Sequence, residues 1–185
     1  MKKIFVLLLC ISMFSCKNET EENKSTVSTT ENTSVENIDK TLVRVAFNIV
    51  AEKDDKACLF YTEDGTINFD DKKTVWADIK GSTQTQEVVF NLPKEVLPTH
   101  IRIDLGRGKN TEQLYYDIKG FKVNYLDKEF SAQGNDVFNY FYPNKDINII
   151  TPKSTMLKKV NKDQETGVIL YPHQPLSDEL SNIVK

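Results

Sequence analysis

From residue 40 onward the chain alternates apolar and polar positions with a period of two. Val43, Val45, Phe47 and Ile49 share one parity, and Leu42, Arg44, Ala46 and Asn48 share the other. This is the spacing of a strand with one buried face. The alternation returns at Val75/Ala77/Ile79, Val88/Phe90/Leu92, Ile101/Ile103/Leu105 and Phe121/Val123/Tyr125. Turn formers separate the short runs: Asp64-Gly65, Lys80-Gly81-Ser82, Pro93 and Pro98, Gly106 and Gly108, Lys119-Gly120, Gly134-Asn135 and Pro143-Asn144. No intervening stretch has room for the crossover helices of a parallel sheet. The pattern predicts one all-β domain over residues 40–185, an antiparallel β-sandwich of jelly-roll-like type. Its length suffices for one core. At the C-terminal end, Ser177 is placed to cap a short closing helix whose apolar face is Leu180, Ile183 and Val184. The stretch after Tyr142 is less regular, and no internal repeat or second shift in composition marks a further domain.

The alternation is absent upstream. Residues 17–39 read KNETEENKSTVSTTENTSVENID, with only Val27, Val35 and Ile38 apolar. Such a segment buries too little surface to offset its ordering entropy, so residues 16–39 are expected to be a disordered linker. As a flexible coil it reaches roughly 25–30 Å. Ahead of it, Lys2 and Lys3 precede the apolar run IFVLLLCISM at 4–13 and the small residue Ser15, which is the layout of a signal peptide over residues 1–15. The run is shorter than the ~20 helical residues that span a bilayer.

Met13-Phe14-Ser15-Cys16 resembles the lipobox of bacterial lipoproteins, in which the thiol is diacylated, the peptide is cut before the cysteine and the new amine is usually acylated. The resemblance implies that Cys16 is a lipid anchor. Burial of acyl chains contributes ~0.8 kcal/mol per methylene, so two or three chains hold a protein on a membrane durably. The expected address is the cell envelope, anchored to the outer membrane on its periplasmic or cell-surface face. Glu19, Glu21 and Glu22 resemble the export signal that sends some Gram-negative lipoproteins to the surface, and a plain polar linker accounts for them as well. The alternative for the whole leader is an ordinary secretory signal with an incidental cysteine.

Loss of residues 1–15 removes Lys2 and Lys3 from 24 basic residues, leaving 22 against 27 acidic ones and a formal charge of −5. That balance argues against a nucleic-acid partner, which needs a basic face. Cys10 leaves with the leader and Cys16 is lipidated, so Cys58 has no partner for an internal disulfide. Within the strand-like run Cys58-Leu59-Phe60-Tyr61 it reads as a small buried hydrophobe.

Candidate chemistry is sparse. If Val75, Ala77 and Ile79 face the core, Trp76, the one tryptophan, points outward. An exposed indole is a flat apolar platform on which sugars stack; cover by a loop, or inverted parity, is the alternative. Tyr115, Tyr116, Tyr140, Phe141 and Tyr142 form a second aromatic store, and NYFYPN reads as a strand ending at a Pro-Asn turn with its rings in the core. Acidic pairs at Asp54-Asp55, Glu63-Asp64 and Asp70-Asp71 are oxygen-rich turns of the kind that hold a structural calcium. None has EF-hand spacing, and solvated turns account for them without a metal.

His100 and His173 are the two histidines; neither stands in a zinc spacing, and no cofactor is implied. GRGKN at 106–110 lacks the spacing and the Lys-Ser/Thr ending of a phosphate loop, and reads as a hairpin turn. There is no G-x-S-x-G elbow. Two facing carboxylates would suffice for a glycoside hydrolase, but no arrangement in the sequence singles out such a pair.

The run CLFYTEDGTINFDDKKTVWADIKGSTQTQEVVFNLP, then IRIDLG, then IKGFKV is similar to the jelly-roll, carbohydrate-binding-like accessory domains of some bacterial cell-surface glycosyltransferases and polysaccharide-assembly proteins. The resemblance rests on a Leu-Phe-Tyr strand entering an acidic-Gly turn, a Val-Phe-x-Leu-Pro strand end, and Ile-Arg-Ile-Asp-Leu-Gly followed by a strand pair. It implies a non-catalytic module that contacts sugars or neighbouring proteins, and it supplies no ligand residues. The expectation is a lipid-anchored sandwich that binds glycan or cell-envelope polysaccharide through Trp76. The rivals are an adaptor lipoprotein that recruits an envelope protein and, third, a hydrolase of sugar bonds.

Overall fold

The computed structural model describes residues 39–108, 112–150, 154–161, 163–164 and 166–185. The signal peptide, Cys16 and the linker up to residue 38 lie outside the described residues, as do Lys109 and Asn110 of the GRGKN turn.

The period-two stretches form strands β1 (Arg44–Ala51), β2 (Asp55–Thr62), β3 (Thr74–Ile79), β4 (Ser82–Asn91), β5 (His100–Leu105), β6 (Tyr115–Tyr125) and β7 (Lys128–Gln133). A 3₁₀ helix (Gly134–Asn139) comes next, then four short strands and a helix: β8 (Phe141–Pro143), β9 (Ile147–Ile149), β10 (Met156–Lys159), β11 (Ile169–Pro172) and α1 (Gln174–Val184). The strands make two antiparallel sheets. The first runs β4-β1-β6-β10-β9 with β7 also paired to β6, and the second runs β3-β2-β5-β11-β8. The described residues thus form an all-β sandwich with one short C-terminal helix.

The interior is filled from both sheets. Val45, Phe47, Ile49, Val88, Phe90, Phe121 and Val123 of the first sheet meet Ala57, Leu59, Ile101, Ile103, Leu105 and Leu170 of the second in one buried cluster. Phe121 stacks on Phe47 at 5.7 Å between centroids and meets Phe141 edge-on at 5.1 Å, geometries favoured by the ring quadrupole.

Strand β6 is irregular at one point. Asn48 pairs with Gly120 but Ile49 pairs with Ile118, so Lys119 is an extra residue, a β-bulge. The bulge reverses parity. Phe121 and Val123 on one side of it and Tyr116 and Ile118 on the other all face the core, and a strictly alternating strand could not bury both sets.

The helix begins earlier than the sequence pattern suggests. His173 occupies the N-cap position and Pro175 lies in the first turn, where its fixed φ suits a helix and its missing N–H is no loss. Leu176 then joins Leu180 and Ile183 as the buried stripe. Ser177 is inside the helix and caps nothing, and its buried Oγ finds no hydrogen-bond partner. The helix touches β7, β6 and β5, and so covers part of both sheets.

Candidate functional site

The outer face of the second sheet carries aromatic rings and an arginine among its smaller residues. Cys58 on β2 sits opposite Trp76 on β3 and opposite Asp104 on β5, which in turn sits opposite Ile169 on β11. The neighbouring row carries Thr74, Phe60 and Arg102. Since Leu59 and Ile103 point to the core, strand alternation sends all of these side chains outward.

Trp76 is 51% exposed, facing the way the parity of Val75, Ala77 and Ile79 assigns to it. The small Cys58 beside it is fully buried. Burial, with a lesser contribution from the Asp104 charge, pushes its thiol up to about 11, so it is a packing residue with no nucleophilic character at neutral pH.

Two arginines organise this face. Arg102 lies with its guanidinium carbon 3.9 Å from the Phe60 centroid, 5.3 Å from that of Phe69 and 5.8 Å from that of Tyr171. It donates through Nε and Nη2 to both oxygens of Asp104, at 2.8 and 2.9 Å. Asp104 is buried, and burial raises its carboxyl pKa even though Arg102 pulls the other way.

Arg107 comes from the turn after β5 and folds back over the sheet. Its guanidinium lies 5.5 Å from the Trp76 ring and 5.7 Å from the Phe60 ring, within the range of cation–π attraction. Trp76, Asp104, Gly106, Arg107, Thr166 and Gly167 line a groove of about 480 Å³.

The turn that carries Arg107 is fastened from beneath. Asp55 Oδ1 accepts hydrogen bonds from the Lys56 and Gly108 amides at 2.8 and 2.7 Å, and Oδ2 accepts one from the Tyr116 hydroxyl at 2.9 Å. The Arg107 amide donates to the Lys56 carbonyl at 2.9 Å. Gly106 adopts φ +82°, and a Cβ on Gly108 would lie 2.5 Å from Asp55 Oδ1, so both glycines are required by the turn. On the opposite lip of the groove, a Cβ on Gly167 would lie 2.0 Å from the Leu105 carbonyl oxygen.

A second aromatic group continues the face. Tyr142 stacks on Tyr171 at 5.6 Å and lies 4.8 Å from the His173 ring. The expectation that the NYFYPN rings all enter the core holds for Phe141 but not for Tyr142, which is exposed, because the two alternate on β8. Asp55 likewise departs from the expected solvated turn: the β6 bulge brings Tyr116 inward, and Asp55 is buried against it. The other acidic turns are held by backbone amides. Asp54 accepts from the Gly81 amide at 2.7 Å, Asp64 from the Thr66 amide at 3.0 Å and Asp70 from the Lys72 amide at 2.9 Å. Among the described residues, no three His, Cys, Asp or Glu side chains gather to hold a metal ion. His100 opens β5 beside Thr99, and burial lowers its pKa.

Arg102 and Arg107 are not legible as site residues in the sequence. The one available signal is the pair of glycines around Arg107, which marks a tight turn without showing where its side chain goes. Comparison of the chain with protein-family models, with curated proteins and with solved structures finds no match in any of the three.

Proposed function

We propose that this chain is a membrane-anchored, non-catalytic lipoprotein whose sandwich binds glycan or cell-envelope polysaccharide across the outer face of the second sheet. The observation that carries the reading is Trp76, half exposed at the mouth of a groove with Arg107 over its ring. The indole offers a rigid apolar face to a sugar ring, and the hydroxyl and guanidinium groups of Thr166 and Arg107 offer polar contacts at its edge. Tyr142 supplies a second ring further along the same sheet, as a polymer longer than one sugar requires. In this reading Cys16 carries the lipid and residues 17–39 form the tether.

The test is retention of the full chain, purified in detergent, on a panel of immobilised polysaccharides, with Trp76→Ala as control. Loss of a stacking ring should weaken binding about five- to tenfold. Binding to no polysaccharide, or binding indifferent to the substitution, contradicts the reading.

An adaptor that recruits an envelope protein is the second reading, favoured by one feature. Among the described residues β9 has a neighbouring strand on one side only, and Ile149 and Ile150 are exposed beside it, an arrangement suited to strand addition. Co-purification from solubilised envelope separates the two.

A further inference from the structure

Resting on the glycan reading of this groove, we infer that the ligand of the Trp76 groove carries a carboxylate, as a polyuronate does, and that Arg107 is the residue that reads it. The two arginines of this face use their charge differently. Arg102 holds both oxygens of Asp104 in its fork and has a phenyl ring against its plane. Arg107 reaches the same carboxylate through Nη1 alone at 3.8 Å, beyond hydrogen-bond distance. Its side chain is 41% exposed, whereas that of Asp104 is 2% exposed.

Among the described residues the Arg107 guanidinium makes no hydrogen bond, and its near neighbours are the Asp104 carboxylate and the rings of Trp76 and Phe60. The planar fork of a guanidinium matches a carboxylate. The groove therefore presents a charged fork without hydrogen-bond partners among the described residues, beside a stacking ring, with the Asp104 carboxylate already in the fork of Arg102. A neutral sugar offers those donors only hydroxyl oxygens, uncharged and without the paired geometry of a carboxylate. A sugar acid stacked on the indole satisfies them.

The backbone that carries the fork is held in place. The Arg107 amide is bonded to Lys56 and the next amide to Asp55, so the backbone that carries it is fixed to β2. This favours selection among ligands over adaptation to them.

The experiment compares polygalacturonate with its fully methyl-esterified form, which keeps the shape and removes the charge, as ligands of the full chain in detergent. The wild-type chain should bind the acid form about tenfold more tightly, with a preference that shrinks as salt is added. Arg107→Gln should bind both forms alike, Arg107→Lys should keep part of the preference, and Trp76→Ala should weaken both forms together. Equal binding of the two forms by the wild-type chain overturns the inference, as does a preference that survives in Arg107→Gln. If neither polymer binds but a neutral polysaccharide does, the carboxylate inference falls and the glycan reading stands. If no polysaccharide binds, both fall. Should Arg107→Gln fail to fold, the comparison of the two polymers on the wild-type chain still decides.

Discussion

The Tyr116 hydroxyl donates to Asp55 Oδ2 at 2.9 Å, joining β6 of one sheet to β2 of the other at the point where the Arg107 turn is fastened. Burial, reinforced by the Asp55 charge, pushes the hydroxyl pKa well above the ordinary tyrosine range, so it remains a donor at any working pH. Tyr116→Phe leaves a buried carboxylate oxygen without its partner and should lower the unfolding free energy by about 1–3 kcal/mol, read from urea denaturation. Asp55→Ala should be worse, because it also releases the Gly108 amide. Equal stability of all three proteins would remove the fastening role.

Gly167 tests the groove itself. A methyl group there points at the Leu105 carbonyl from 2.0 Å, and backbone cannot step aside as a flexible side chain can. Gly167→Ala should cost about 1–3 kcal/mol or more and should weaken polysaccharide retention by separating β11 from β5. Thermal melting together with the retention assay checks both effects; a stable variant with full retention would contradict them.

What can be read from sequence depends on how far each feature reaches along the chain. Strand parity is local, so the buried faces of β1 and β5 and the outward side of Trp76 are visible in stretches of six to eight residues. The burial of Asp55 is not, since its partner lies 61 positions away and is turned inward only by the bulge at Lys119. The Arg107–Trp76 approach needs the β2–β3 and β2–β5 registers together with a glycine turn, three relations that no local window contains. The start of helix α1 is misread from sequence because Ser177 is a good cap by composition, while the Leu176, Leu180 and Ile183 stripe decides where burial begins.

Asp104 makes the stability depend on pH in a definite direction. Burial raises its carboxyl pKa in the folded chain, and Arg102 only partly offsets this. Between the unfolded value of ~3.9 and the raised folded value, the native state therefore holds more protons than the unfolded chain, and stability must fall as pH rises through that window. Relative to Asp104→Asn, which cannot titrate, the wild-type chain should be at its best below the unfolded pKa and lose ground as pH rises. Parallel pH profiles of melting temperature for the two proteins would contradict this.

The cysteines give a count. A Cys58 thiol held near 11 is thiolate to the order of one part in a thousand at pH 8, and its side chain is buried. If Cys10 is removed and Cys16 acylated, as proposed, native material should show no fast-reacting thiol and denatured material one per chain. A fast thiol in native protein means that Cys16 is bare. Cys16→Ala should release the protein from the membrane fraction and end lipid labelling, and a variant that stays bound and labelled would contradict the anchor.

The central claim is that sugar stacks on Trp76, and because this is the one tryptophan of the chain, its fluorescence reports on that ring alone. Titration of the full chain with polygalacturonate, followed by tryptophan emission, should give a saturable change in intensity and wavelength as the indole leaves water. Polysaccharide binding seen by retention without any change in that emission would contradict the claim.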